Sequence, residues 1–351
     1  MPTPTPPILA PYTSSSSSPA QSLTLITSVL GATSNWLVLR ILCDALSAGE
    51  YEGWGGAAVG GRGAARGRKV VLVSFLRSWE FWRGEARRAG LDLARFSNEG
   101  SFVFVDGLSE LFSGATSAPS AAALPIRSAP PVSSRQPAVT RLPAEQQQQQ
   151  QQRAATPAAT RKLHWSTKGG LDAVERDIIS AIEERNPNVP ADEVSAENDT
   201  LLIVDQPDLL LAATGAGQGV GAAEMGEFIM GLRQHSHSTI VTVSADAPLI
   251  HNSSPTERQP TPLETEHAAL VVGLAHQARM VMQLRGLDTG VARDVSGVLR
   301  ISKGGGWVAR RVEDKNSSSG GDGHGDLEER EVLYFIQADG AVRVFGRGEM
   351  R

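Results

Sequence analysis

The chain has 351 residues, 40% of them apolar, a formal net charge of −5 and one cysteine. That length suits one large α/β domain with unstructured additions, or two small domains. A lone Cys43 excludes an intramolecular disulfide and a cysteine zinc cluster and fits a reducing compartment. The acidic balance excludes a nucleic-acid-binding polycation.

The N-terminus, Met1-Pro2-Thr3-Pro4, carries no basic segment and no apolar core of a signal peptide, so no leader is expected. No apolar run approaches the roughly 18 residues of a spanning helix, and no membrane association is expected. Pro4–Pro19 is rich in proline and serine and is expected to be extended or disordered, within a disordered segment 1–20. Leu23–Leu30 is β-branched and apolar and reads as a buried strand. Ser34 or Asn35 can cap the next helix, Trp36–Ala48, whose Leu39, Leu42, Cys43 and Leu46 share one face. Gly53–Gly67 reads as a flexible glycine-rich linker. Val70–Phe75 is a second buried strand. Ser78 can cap a helix over Trp79–Ala89, with Gly90 ending it. Its apolar face is Trp79, Trp82 and Ala86, and its polar face carries Arg83, Arg87 and Arg88. Phe102–Asp106 is a third strand.

From residue 113 to 162 the chain is rich in Ala, Ser, Pro and Gln, and cannot bury enough apolar surface to offset ordering entropy. It reads as a disordered basic insertion between residues 21–112 and 163–348 of one domain, because the strand–helix alternation resumes beyond it. A helix over Gly170–Arg185, a strand Leu201–Asp205, a helix Glu224–His235, a strand Thr239–Ser244 and a helix Leu263–His276 follow. His251–Pro262 reads as a proline-rich loop. The tail reads as strands Arg279–Leu284, Gly297–Ser302, Val332–Ala338 and Ala341–Phe345, with a flexible loop at 316–326 and a hairpin turn at Ala338-Asp339-Gly340. This order implies a mostly parallel sheet with helices on both faces and antiparallel strands added at one edge.

The strand Leu201–Asp205 ends in an acid. In nucleotide-binding α/β proteins such an acid holds magnesium at the carboxyl edge of the sheet. Its phosphate-binding counterpart should follow the first strand as G-x-x-x-x-G-K-[ST]. That place reads Gly31-Ala32-Thr33-Ser34-Asn35-Trp36, without a second glycine, a lysine or a hydroxyl after a lysine. After Val70–Phe75 the first acid is Glu80, already inside a helix, so no residue is positioned to orient an attacking water. The pocket reads as degenerate at Gly31, Thr33, Ser34, Asn35 and Asp205. No cofactor, metal or catalytic residue is expected, and the chain reads as an assembly subunit. An aspartate at a strand end more often caps the next turn, so Asp205 gains meaning only from its place in the β–α order. The histidines make no metal pattern.

Basic residues concentrate in 61–162 while the remainder is acidic. Any RNA contact is expected there, although the asymmetry is equally read as an aid to solubility. The candidates are Arg83, Arg87 and Arg88 near Trp79 and Trp82, together with Arg161 and Lys162 at the end of the insertion. The first three read as an RNA or subunit contact or as a solvated face, and the last two as part of a flexible basic segment able to hold RNA without sequence preference.

Val70–Gly90 (VVLVSFLRSWEFWRGEARRAG), Phe102–Leu111 (FVFVDGLSEL) and Leu201–Leu211 (LLIVDQPDLLL) resemble the sixth subunit of the Elongator complex, as found in filamentous fungi. The similarity covers roughly 20–112 and 163–310. It implies a RecA-like fold and a hexameric ring with two copies each of the fourth, fifth and sixth subunits. It further implies docking on the catalytic Elongator subcomplex, binding of tRNA, and support of wobble-uridine modification in the cytoplasm, with a nuclear pool left open. The chemistry belongs to another subunit. Helix Trp79–Ala89 and strands Arg279–Leu284 and Gly297–Ser302, taken as edges, are the expected interface elements. A recombination-type RecA paralogue acting on DNA, and an ATPase with an unorthodox loop, stay open as alternatives.

Overall fold

The computed structural model describes residues 5–14, 19–47, 68–113, 160–166, 168–184, 199–215, 219–250, 259–290, 292–308 and 327–346. The glycine-rich segment 53–67, most of the insertion and the loops at 251–258 and 316–326 lie outside them. Ten strands form one sheet in the order β10-β9-β8-β7-β1-β6-β5-β2-β3-β4. These are β1 (Ser22–Ser28), β2 (Lys69–Ser74), β3 (Phe102–Asp106), β4 (Thr160–Lys162), β5 (Thr200–Asp205), β6 (Ser238–Ser244), β7 (Met280–Arg285), β8 (Gly297–Lys303), β9 (Arg330–Ile336) and β10 (Val342–Phe345). From β7 to β4 every pairing is parallel, and β8, β9 and β10 are added antiparallel. This is the expected α/β, RecA-like arrangement, with its antiparallel strands at the C-terminal edge.

Burial explains which residues went where. Strands β2, β3 and β5 are buried on both faces, so their sequences are continuous Val, Leu, Ile and Phe runs. Strand β7 alternates buried and open positions, as a strand with one covered face should. On one face lie α1 (Ala10–Thr13), α2 (Asn35–Ser47), α3 (Trp79–Arg88) and α4 (Leu93–Asn98). On the other lie α5 (Gly170–Glu183), α6 (Asp208–Thr214), α7 (Ala222–Gln234) and α9 (Pro262–Gln277), with the short α8 (Ala247–Ile250) beside α9.

Helix α2 departs from the one-faced helix read from its sequence. Its residues are buried all round, Arg40 included. The antiparallel strands curl over it, and Tyr334 of β9 lies against Trp36 with ring centroids 4.8 Å apart. Arg40 Nη2 donates to the Gly340 carbonyl at the hairpin turn, 3.4 Å away. The outer side is closed by the N-terminal segment, where Thr5 and Thr13 donate to the Asp44 carboxylate at 2.6 and 2.5 Å. Burial pushes the Cys43 thiol up to about 11, which leaves it unreactive at neutral pH.

Several boundaries are corrected. Within 1–20, Leu9 is fully buried and Ala10–Thr13 is a helical turn, because the all-apolar surface of α2 needs a cover. Thr160–Lys162, placed in the insertion by composition, pairs with β3 through main-chain bonds that composition does not report. Strands β7 and β8 each have two neighbours, so neither is an edge available for docking. Trp82, read as part of the apolar face of α3, is fully buried in the core.

Two caps hold the ends of helices. Gly305 N–H donates to Ala275 and Gly306 N–H to Ala278, covering the carbonyls that end α9. A Cβ at Gly304 would overlap the Ala278 carbonyl, so only glycine fits this approach. At the end of α5, the Lys69 ammonium donates to the carbonyls of Ala181, Ile182 and Glu184 at 2.8, 2.8 and 2.5 Å. Lys69→Met is expected to cost about 1–2 kcal/mol at neutral pH, read from the denaturant midpoint. Burial lowers the Lys69 ammonium from 10.5 to about 8. The unfolded chain therefore binds more protons than the native state between these values. Native stability accordingly gains as pH rises through that window, and the Met variant lacks the gain.

Candidate functional site

The carboxyl ends of β1, β6, β5 and β2 lie side by side in the sheet, and Asp205 stands at the centre of that row. Register places it opposite Ser74 of β2 and Thr242 of β6. Its carboxylate is fully buried. Oδ2 accepts from Ser74 Oγ at 2.8 Å, and Oδ1 accepts from Thr242 Oγ1 at 2.9 Å. Arg77 Nη1 donates to both oxygens at 3.0 Å. A carboxylate offers about four lone-pair sites, so these contacts fill it. The guanidinium is itself held 5.5 Å from the Phe81 ring centroid and 5.8 Å from that of Trp82.

Chemically, Arg77 stands where a cation would have to sit. A divalent ion approaching Asp205 would find no open lone pair and would meet the like charge of the guanidinium. Sequence reasoning missed Arg77, although a signal existed. It is a basic residue three positions beyond a buried strand that neighbours the acid-ending one.

The network runs on. Gln206 adopts φ +57, unusual for a side-chain-bearing residue, and its amide donates to the Thr242 carbonyl at 3.0 Å. Ser244 Oγ donates to Gln206 Oε1 at 2.9 Å, and Ser244 N–H to Asp208 Oδ2 at 3.1 Å. The same Asp208 oxygen lies 3.3 Å from His267 Nε2, both residues being buried.

The phosphate-loop position is closed. A short turn links Val29 to Ala32, whose amide donates to the Val29 carbonyl at 2.9 Å, with Gly31 at φ +87. Leu30 projects from its tip, 91% exposed, and its amide is taken by Asp246 Oδ1 at 2.9 Å. Ser34 accepts main-chain bonds from Leu37 and Val38 as an N-cap residue should, but its buried hydroxyl has no hydrogen-bond partner among the described residues. Thr33 and Asn35 face elsewhere, into a cavity of about 120 Å³ with Arg40, Glu85, Arg88 and Gly340. The loop residues and Asp205 therefore do not converge on one ligand.

A model of the family described as Elongation complex protein 6 matches residues 143–318, half of the chain. The chain belongs to that family. No curated protein matches it. The match includes Leu201–Leu211 and Asp205, whereas Val70–Gly90, with Arg77, lies before it. For an Elongation complex protein 6 chain, an accessory role within Elongator agrees with an acid already neutralised inside the fold.

The basic candidates split into two groups. Arg88 pairs with Glu85 at 2.8 Å on α3, where Arg87 is exposed and Arg83 half-buried. Arg161 and Lys162 lie on the outermost strand, paired with Glu184 at 2.6 Å and with Glu110. No cluster of three metal-ligating side chains occurs among the described residues. Among the same residues, no helix is long and apolar enough to cross a membrane.

Proposed function

We propose that this chain is a non-catalytic RecA-like subunit of Elongator. It joins the fourth and fifth subunits in a hexameric ring with two copies of each. The ring docks on the catalytic subcomplex, binds tRNA and supports wobble-uridine modification, in the cytoplasm or the nucleus, without a cofactor of its own. The observation that carries the non-catalytic part is the buried Asp205 carboxylate, filled by Arg77, Ser74 and Thr242. Membership of the Elongation complex protein 6 family supports the choice of complex over a DNA-binding paralogue. Exposed Leu30 and Leu76, beside the strand ends, support burial of this edge against a neighbour.

The test is co-expression with the fourth and fifth subunits and mass determination in solution. A complex with two copies of each is expected, and the isolated chain is expected to turn over no ATP. A lone monomer or a self-assembled filament would overturn the ring assignment. Turnover abolished by Asp205→Ala would overturn the non-catalytic one.

A further inference from the structure

Beside β4 a second feature stands apart from the Asp205 network. Phe112 is 54% exposed although it is a large aromatic side chain. Its ring packs on Trp165, with centroids 6.0 Å apart and planes at 45°. The base beneath the pair is rigid. Trp165 N–H donates to the Leu111 carbonyl at 2.6 Å, and Leu163 N–H to the Asp106 carbonyl at 2.9 Å. The Leu163 side chain is anchored in the core, and the Trp165 ring packs against that core. Asp106 Oδ1 accepts from the amides of Leu108 and Ser109, both at 2.9 Å, and so pins the loop that leads to Phe112. Gly170, beside the Trp165 ring, adopts φ +47, a conformation that side-chain-bearing residues rarely take.

The segment that carries Trp165 also carries basic side chains. Lys162, His164 and Lys168 are exposed and lie within three residues of Trp165 in the chain. The nearby carboxylate of Glu110 holds Lys162 and lies 3.9 Å from His164 Nε2. An exposed aromatic ring braced by a second, tilted ring, with basic side chains on the same segment, suits a ligand with a flat π-face and a phosphate backbone.

We propose that Phe112 and Trp165 form a stacking platform for an unpaired nucleobase of single-stranded RNA, with Lys162 and Lys168 beside its phosphates. This rests on the tRNA-binding reading above and names where an unstacked loop base is held. The base stacks on the open face of Phe112, which the tilted Trp165 ring braces from its other side. Stacking needs only a π-face, so the site does not select one base over another.

The test uses the full chain, alone and in the complex with the fourth and fifth subunits. The probes are an oligouridylate of about ten nucleotides and an abasic oligomer of the same length. Phe112→Ala is expected to weaken oligouridylate binding about tenfold and to leave abasic binding unchanged, with Phe112→Trp restoring affinity. Lys162→Ala is expected to weaken both probes and to reduce the salt slope by about one. Equal oligouridylate affinity for Phe112→Ala and the parent, in either form, would overturn the platform. Loss of subunits from the Phe112→Ala complex, with RNA affinity kept by the isolated chain, would overturn it too and assign the rings to a protein interface. Failure of the parent complex to assemble would count against the ring. The platform would then stand or fall on the same comparison made with the isolated chain.

Discussion

Arg77→Ala is expected to destabilise the chain by about 3–5 kcal/mol, because it leaves a buried carboxylate with no countercharge. Asp205 is closed to solvent, and its remaining donors, Ser74 and Thr242, are neutral hydroxyls. Arg77→Lys is expected to recover only part of the loss, since a compact, strongly hydrated ammonium does not pack on Phe81 and Trp82 as the planar guanidinium does. Replacing both partners, as in Arg77→Met with Asp205→Leu, removes the unpaired charge and should cost less than Arg77→Ala alone. It still leaves the O–H donors of Ser74 and Thr242 without their acceptor, at about 1 kcal/mol each, while their oxygens keep the Arg77 and Gln206 main-chain amides. Urea midpoints for the variants measure these differences. The same experiment addresses function: magnesium with ATP is expected to leave the wild-type midpoint where it was, since a ligand that binds the native state raises it. A rise that vanished in Asp205→Ala would mean that Arg77 yields its place to the metal.

Trp82→Ala is expected to cost about 3–5 kcal/mol and to act on the fold before it acts on any assembly. The side chain is wholly buried on α3 and meets Phe81 edge-on at 5.5 Å. It also flanks the Arg77 guanidinium, so Trp82→Ala and Arg77→Ala should combine non-additively. Trp82→Asp should prevent folding altogether, which makes it unsuitable as a probe of the ring. Trp82→Phe is expected to be mild, under about 1.5 kcal/mol, because it keeps most of the volume and removes an indole N–H that has no partner among the described residues. Denaturant unfolding of the isolated chain separates these cases. A folded, stable Trp82→Ala monomer would overturn the core assignment.

The strands and helices were legible where burial is written locally. Val70–Phe75 and Leu201–Asp205 are apolar runs because both their faces are covered, and each is found within a residue or two of its expected ends. The cap at Ser78 was legible for the same reason, its hydroxyl lying three residues from the amide it accepts from. Less legible were elements whose partners are remote. Thr160–Lys162 is a strand only because β3 offers it a ladder. The all-round burial of α2 depends on β9 and on the N-terminal segment, which lie at opposite ends of the chain. The short helices Ala10–Thr13 and Leu93–Asn98 have too few turns to show a period.

By itself, the sequence determined that the chain is α/β, that an acid ends β5, and that no lysine follows Gly31. It also carried the resemblance that the family match supports. These are properties of residue type and local spacing. Only the tertiary structure decided what the acid does. Asp205 and Arg77 lie 128 positions apart and meet because β5 and β2 are neighbours in the sheet. Likewise, Phe112 and Trp165 are brought together across the insertion by the pairing of β3 with β4. Strand order is set by how the whole apolar surface is buried, and no local pattern contains it.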